Sequence, residues 1–212
     1  MKFLVFEGLD GSGKSSLMKA FEKELQGRSM PFTRTREPGG TPLGDAIREL
    51  ILQPSSSAPT ARTELLLYEA SRAQHVDQVI KPALQRQEWV LCDRFSASSI
   101  AFQAGGRQIS EDWVVRLNEF ATDGLKADLT VLLDLSVEES RRRRNQRESH
   151  GGAKEDRIES EADHFHERVR QGFLRQAKDE PQTWLVLDAA ASPESLLKSL
   201  LQEIQRRKWL EF

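Results

Sequence analysis

The run Gly8-Leu9-Asp10-Gly11-Ser12-Gly13-Lys14-Ser15-Ser16 constrains this chain more than any other, because it joins the apolar, strand-like Phe3-Leu4-Val5-Phe6 to a segment with helical spacing. The glycines let the backbone curl so that successive N–H groups converge on one anion, and a following helix points its positive end at the same place. A lysine and a hydroxyl at the end of such a loop suit the β- and γ-phosphates and a Mg²⁺ ion: Lys14 for the former, Ser15 for the latter. The expected site therefore binds a nucleoside triphosphate through residues 8–16.

The 212 residues are 38% hydrophobic, enough for one compact core. A formal net charge of −2 gives no overall field to attract nucleic acid or an anionic membrane, so any basic function has to be local. The lone Cys92 excludes an internal disulfide, and it lies in an apolar run as a small buried thiol would. The apolar start is cut short by Glu7 and Gly8 before it reaches signal-peptide length, and no run approaches a bilayer's thickness. A cytoplasmic protein is expected, with no membrane and no nucleic acid among its partners.

Apolar periodicity predicts strands at 2–6, 32–36, 88–92, 129–135 and 184–188, rich in branched residues and separated by helical patterns. Leu17, Phe21 and Leu25 recur at i+4. Thr41-Pro42 and Ser192-Pro193 each supply a helix cap followed by a first-turn proline, ahead of Leu43, Ile47, Leu50 and Ile51 in one case and Leu196, Leu200 and Ile204 in the other. Strands alternating with helices predict a parallel sheet covered on both faces, with ligands at the strands' carboxyl ends. Two stretches interrupt this order: the polar connector Pro54–Pro59, and the run from Arg141 to Glu161, which holds Arg141, Arg142, Arg143, Arg144 and Arg147 ahead of Gly151-Gly152.

The phosphate loop, Arg36-Glu37-Pro38-Gly39-Gly40-Thr41, Asp93-Arg94-Phe95 and Asp156-Arg157-Ile158-Glu159 together, in that order and spacing, resemble the thymidylate kinase family along nearly the whole chain. The resemblance implies an α/β, three-layer P-loop kinase fold over residues 1–212, with a five-stranded parallel sheet and a short arginine-rich lid at about 141–161. It also implies transfer of the γ-phosphoryl group of ATP to dTMP with Mg²⁺, and a homodimer. Phosphoryl transfer depends on positioning and charge neutralisation, so cations are needed at the donor and the acceptor. Lys14 serves the donor. Arg94 resembles the arginine that bridges the two phosphates, and Asp10 the carboxylate that orients the acceptor and engages the Mg²⁺ shell.

Some members of the family carry a catalytic arginine inside the loop. Here Gly11 and Ser12 stand instead, which resembles the form whose arginines come from the lid, with Arg143 and Arg147 the candidates, one helical turn apart. On that reading an arginine placed at Gly11 or Ser12 would partly replace them. Tyr68 and Arg72, at i and i+4, match the family's stacking aromatic and thymine-reading arginine. Ser99, Phe102 and Gln103 match its sugar and base contacts, and Glu37 and Arg48 the positions beside the acceptor phosphate. Extra residues around Ser149 to Glu155 depart from the family's commonest form, leaving the register of the lid arginines open. His75, His150, His164 and His166 show no zinc-ligand spacing. A P-loop kinase for another nucleoside or nucleotide, or a nucleotide-dependent switch or ATPase module, remains the rival reading; no Asn-Lys-x-Asp guanine-reading motif is present.

Overall fold

The structure, a computed structural model, describes residues 1–54, 58–152 and 154–210. Ser55–Ser57 of the expected connector lie outside the described residues.

Five strands form one sheet in which every neighbour is parallel: β1 (Phe3–Glu7), β2 (Phe32–Arg36), β3 (Trp89–Asp93), β4 (Leu129–Asp134) and β5 (Trp184–Asp188), in the order β2-β3-β1-β4-β5. This is the expected three-layer α/β arrangement. The three inner strands are buried almost throughout, which is why they read as unbroken apolar runs. The predicted bounds need correction at five ends, since β1 and β3 each also start one residue later than expected. β1 runs one residue past the expected stop because Glu7, although acidic, is buried and pairs with Leu132, while β3 likewise extends to Asp93, opposite Arg36. β4 stops at Asp134, one residue short.

Alternation along the strands sends Leu4 and Phe6 to one face and Phe3 and Val5 to the other. The first face is covered by α1 (Lys14–Gly27) and α9 (Pro193–Arg206), which bury Leu17, Phe21, Leu25, Leu196, Leu200 and Ile204. The remaining helices are α2 (Pro42–Leu52), α3 (Ala61–His75), α4 (Lys81–Gln85), α5 (Ser96–Ser99), α6 (Glu111–Thr122), α7 (Val137–Ser149) and α8 (Asp163–Asp179). A π-helical segment, Val76–Ile80, joins α3 to α4, and a second, Ile100–Gly106, continues α5.

Both expected caps form: the Thr41 hydroxyl accepts from Gly44 N at 2.9 Å, and that of Ser192 from Ser195 N at 3.2 Å. Of the four apolar residues expected to line α2, however, Ile47 and Ile51 are buried, while Leu43 and Leu50 face outward, 53% and 62% exposed. Their spacing signalled a helix correctly, but not which of its apolar residues meet the core.

Candidate functional site

Where β1 ends, the chain turns at Gly8 with φ 135°, and a Cβ there would sit 2.4 Å from Leu133 O. Only glycine lets the loop pass β4 this closely. Lys14, at the start of α1, folds back to donate to Gly8 O at 3.0 Å and Leu9 O at 3.1 Å, so its ammonium lies inside the ring of loop residues. Burial, and then the nearby Arg94, lower its affinity for a proton. Ser15 and Ser16 are exposed on the first turn of α1, and Ser15 Oγ lies 3.4 Å from Asp93 Oδ2. Ser12 Oγ is buried without a hydrogen-bond partner in the loop's interior.

Beside this loop, at the end of β3, Arg94 takes the left-handed conformation with φ 70°. Its backbone is pinned there by Arg94 N donating to Phe6 O at 3.0 Å and by Phe95 N donating to Glu7 Oε1 at 3.0 Å. Such a conformation costs a non-glycine residue free energy, and these bonds offset it. The guanidinium then donates from Nη2 to Asp10 Oδ1 at 2.9 Å and lies 5.0 Å above the Phe102 ring. Burial works against a charge on Asp10, yet Arg94 and Lys14 hold its carboxyl well below the usual range. Glu7, which also accepts from Ser98 Oγ at 2.7 Å, is different: burial pushes its carboxyl up to about 7 despite Arg94.

Arg94 and Asp10 line one side of an open cleft beside the phosphate loop. Of the residues expected to meet the acceptor, Glu37, Arg48, Tyr68, Arg72, Phe102 and Gln103 all line it. Ser99 does not. Its hydroxyl donates to Glu69 Oε1 at 2.9 Å and accepts from Arg72 Nη1 at 2.9 Å, behind the wall, so its role is to support Arg72. The sequence reading passed over Pro38, Leu52, Phe95 and Ser98 as lining residues. Asp156 and Ile158 also line the cleft, and the Asp156-Arg157-Ile158-Glu159 motif was the signal that could have found them.

Arg72 is more deeply built in than its spacing suggested. It is 1% exposed and donates from Nε to Glu37 at 2.7 Å, from Nη1 to Glu69 at 2.8 Å and Asn118 at 2.7 Å, and from Nη2 to Phe95 O at 3.1 Å. Glu37 is held from its other oxygen by His75 Nδ1 at 2.9 Å. Burial pushes the half-buried Tyr68 hydroxyl towards its neutral form.

α7 crosses the phosphate loop. Ser140 Oγ donates to Asp10 O at 2.7 Å, and Arg143 donates from Nη1 to Gly11 O at 3.3 Å and from Nη2 to Ala189 O at 3.1 Å. Arg147 is turned to Glu159, with bonds of 3.1 and 2.7 Å. Arg144 is buried against Ser140 and Glu155, while Arg141 and Arg142 pair with Asp163 and Glu139 at the surface. An arginine at either loop position would have to be accommodated in tight packing. A Cβ at Gly11, where φ is 80°, would lie 3.1 Å from Arg143 Cβ, and Ser12 is 1% exposed. Nor is Gly151 merely a flexible joint: at φ 77° it ends α7, its N–H on Glu148 O at 3.0 Å.

Comparison with known proteins agrees with this geometry. The thymidylate kinase family profile matches residues 6–200. A thymidylate kinase of Bdellovibrio bacteriovorus is 69% identical over 99% of this chain and 98% of its own length. Those of Geotalea uraniireducens and Lacticaseibacillus casei are 44% and 43% identical, over 89% and 97% of this chain and 89% and 95% of theirs. A phosphate loop crossed by an arginine-bearing helix, and an arginine shared between that loop and the cleft beside it, are thus found in a chain that belongs to the thymidylate kinase family.

Proposed function

We propose that this protein transfers the γ-phosphoryl group of ATP to dTMP, giving ADP and dTDP for dTTP synthesis. The observation that carries the reading is Arg94, whose guanidinium lies 2.9 Å from a carboxylate of the donor loop while lining the acceptor cleft. A transferring phosphoryl group spreads negative charge over oxygens that both substrates share, and a cation fixed between them stabilises that charge without rearranging. Lys14 exchanges the carbonyls of Gly8 and Leu9 for the β- and γ-phosphates. Asp10, kept ionised, holds Arg94 in line.

The acceptor's phosphate meets Arg94 and Arg48, with Glu37 beside it; its base stacks on Tyr68 and meets Arg72 and Gln103; its sugar lies over Phe102. An apolar ring beneath the sugar leaves a ribose 2′-hydroxyl unpartnered, which favours the deoxy form. Arg143 and Arg147, in a lid spanning about 141–161 of a single domain, supply further positive charge to the transferring group.

Ser15 and Asp93, 3.4 Å apart, with Asp10 in the same loop, offer hard oxygen donors of the kind that suits Mg²⁺. Ser15 would ligate the ion directly and the carboxylates through water. Bound there, it would supply charge neutralisation across the β- and γ-phosphates.

Exposed Leu43, Leu50, Leu66, Trp113 and Phe120 lie on α2, α3 and α6, which pack side by side, and this apolar face suits a second copy in a homodimer. A cytoplasmic site of action accords with the buried, unpaired Cys92 and with the lack, among the described residues, of any helix long and apolar enough to cross a membrane. The test is a panel of nucleoside monophosphates with ATP and Mg²⁺, read as ADP formed. The proposal requires dTMP to be the best acceptor, and a clear preference for any other base would overturn it.

A further inference from the structure

Gln103 reaches the cleft from the π-helical segment Ile100–Gly106, and its Nε2 donates to Glu64 Oε1 at 3.0 Å. An ionised carboxylate only accepts, so this bond decides which way round the amide sits: its nitrogen faces Glu64 and its oxygen is left for a bound base. Glu64 is 1% exposed in the first turn of α3. It takes Arg107 Nε and Nη2 at 3.1 and 3.0 Å, and Arg157 Nη2 at 2.6 Å. Burial opposes its charge, but these guanidiniums and Gln103 keep its carboxyl below the ordinary value.

Arg157 also donates from Nε to Ile51 O at 2.7 Å and from its backbone to Leu52 O at 3.0 Å. One carboxylate therefore ties together the base wall, the end of α2 and the segment leading out of the lid. Among the described residues, none of these hydrogen bonds reaches the donor loop.

We infer that Glu64 is a specificity-determining positioning residue: it locks the Gln103 amide so that the cleft offers an acceptor to a base carrying a proton at N3. Thymine and uracil carry that proton, whereas cytosine presents a lone pair at the same atom and meets the amide oxygen as a second acceptor. A site built on one fixed hydrogen-bonding sense rejects the opposite sense strongly, because the mismatch leaves two buried acceptors face to face. The inference rests on the dTMP reading above and adds to it the residue that sets the sense.

The test compares kcat/KM for dTMP and dCMP in the wild type, Glu64→Gln and Glu64→Asp. A glutamine at 64 can donate as well as accept, so Gln103 becomes free to turn over. The dTMP-to-dCMP ratio should then fall by about tenfold or more, through KM for the nucleotide, with KM for ATP unchanged. Glu64→Asp remains acceptor-only and should keep the ratio within about threefold even where KM rises, an outcome that general loosening of the cleft would not give. A folded Glu64→Gln protein whose ratio stays within about twofold of wild type overturns the inference. Wild-type failure to prefer dTMP would instead overturn the proposed function, so the two failures are distinguishable.

Should Glu64→Gln not fold, nitrogen-15 NMR of the wild type gives a reading without any variant. The Gln103 side-chain proton donated to Glu64 should exchange with solvent at least about tenfold more slowly than those of exposed glutamines, and exchange at the exposed rate overturns the inference.

Discussion

Glu7 makes the stability of this protein depend on pH in a direction opposite to that of most carboxylates. Its side chain is fully buried behind the phosphate loop, and burial lifts its carboxyl from 4.5 to about 7. Between those values the folded protein holds a proton that the unfolded chain releases, so stability is greatest at low pH and is lost as pH rises to about 7. Each pH unit in that window is worth ~1.4 kcal/mol, and the loss between about pH 5 and pH 8 comes to about 2–3 kcal/mol.

Glu7→Gln keeps the shape and an acceptor for Phe95 N, but does not titrate. The stability of wild type minus that of Glu7→Gln, measured by urea unfolding across this range, should therefore fall by about 2–3 kcal/mol, or roughly 5–10 °C in Tm. Asp156, shifted upward by burial, and His166, shifted downward by burial, titrate in both proteins and cancel. A difference constant with pH would refute the reasoning, for it would mean that Arg94 at 3.7 Å fully offsets the burial of Glu7.

Lys14→Ala removes a charge whose hydrogen-bond and ion-pair partners among the described residues are the carbonyls of Gly8 and Leu9 and the carboxylate of Asp10, so circular dichroism should stay native while kcat/KM falls by roughly a thousandfold. Arg72→Ala leaves Glu37 and Glu69 buried without their cation and should cost about 3–5 kcal/mol in urea unfolding, a loss that base reading alone would not produce. Arg143→Ala and Arg147→Ala should each leave Tm within a few degrees, and at least one should lower kcat at saturating ATP and dTMP by roughly a hundredfold or more; unchanged rates in both would reduce the lid to a solvated helix.

The parts of this site that were legible in the sequence are those where backbone geometry or phosphate chemistry restricts the residue type. Gly8 is required by the approach to Leu133, and Lys14 sits at the loop-to-helix junction. Arg94 was visible only through its neighbours in the Asp93-Arg94-Phe95 run, and its left-handed backbone has no sequence signal, since arginine does not ordinarily adopt it.

Glu64 was illegible for a plainer reason. An acidic residue in the first turn of a helix looks like ordinary complementarity to the helix dipole. What buries it is Arg107 and Arg157, 43 and 93 residues further along the chain. Glu7 likewise read as the polar end of a strand until its partners, Phe95 and Ser98, arrived from 88 and 91 residues away. Periodicity found α2 and left unsaid that Leu43 and Leu50 would face outward, because a helical stripe records apolarity and not what covers it.

The central claim is that one arginine joins a donor loop to an acceptor cleft, so that the γ-phosphoryl group goes to a nucleotide and not to water. It is tested most directly by following γ-³²P-labelled ATP with and without dTMP. The account predicts label in dTDP, in step with the ADP formed, and very little free phosphate when dTMP is left out. Release of labelled phosphate at a similar rate without any acceptor, or a failure of label to reach dTDP, would contradict it.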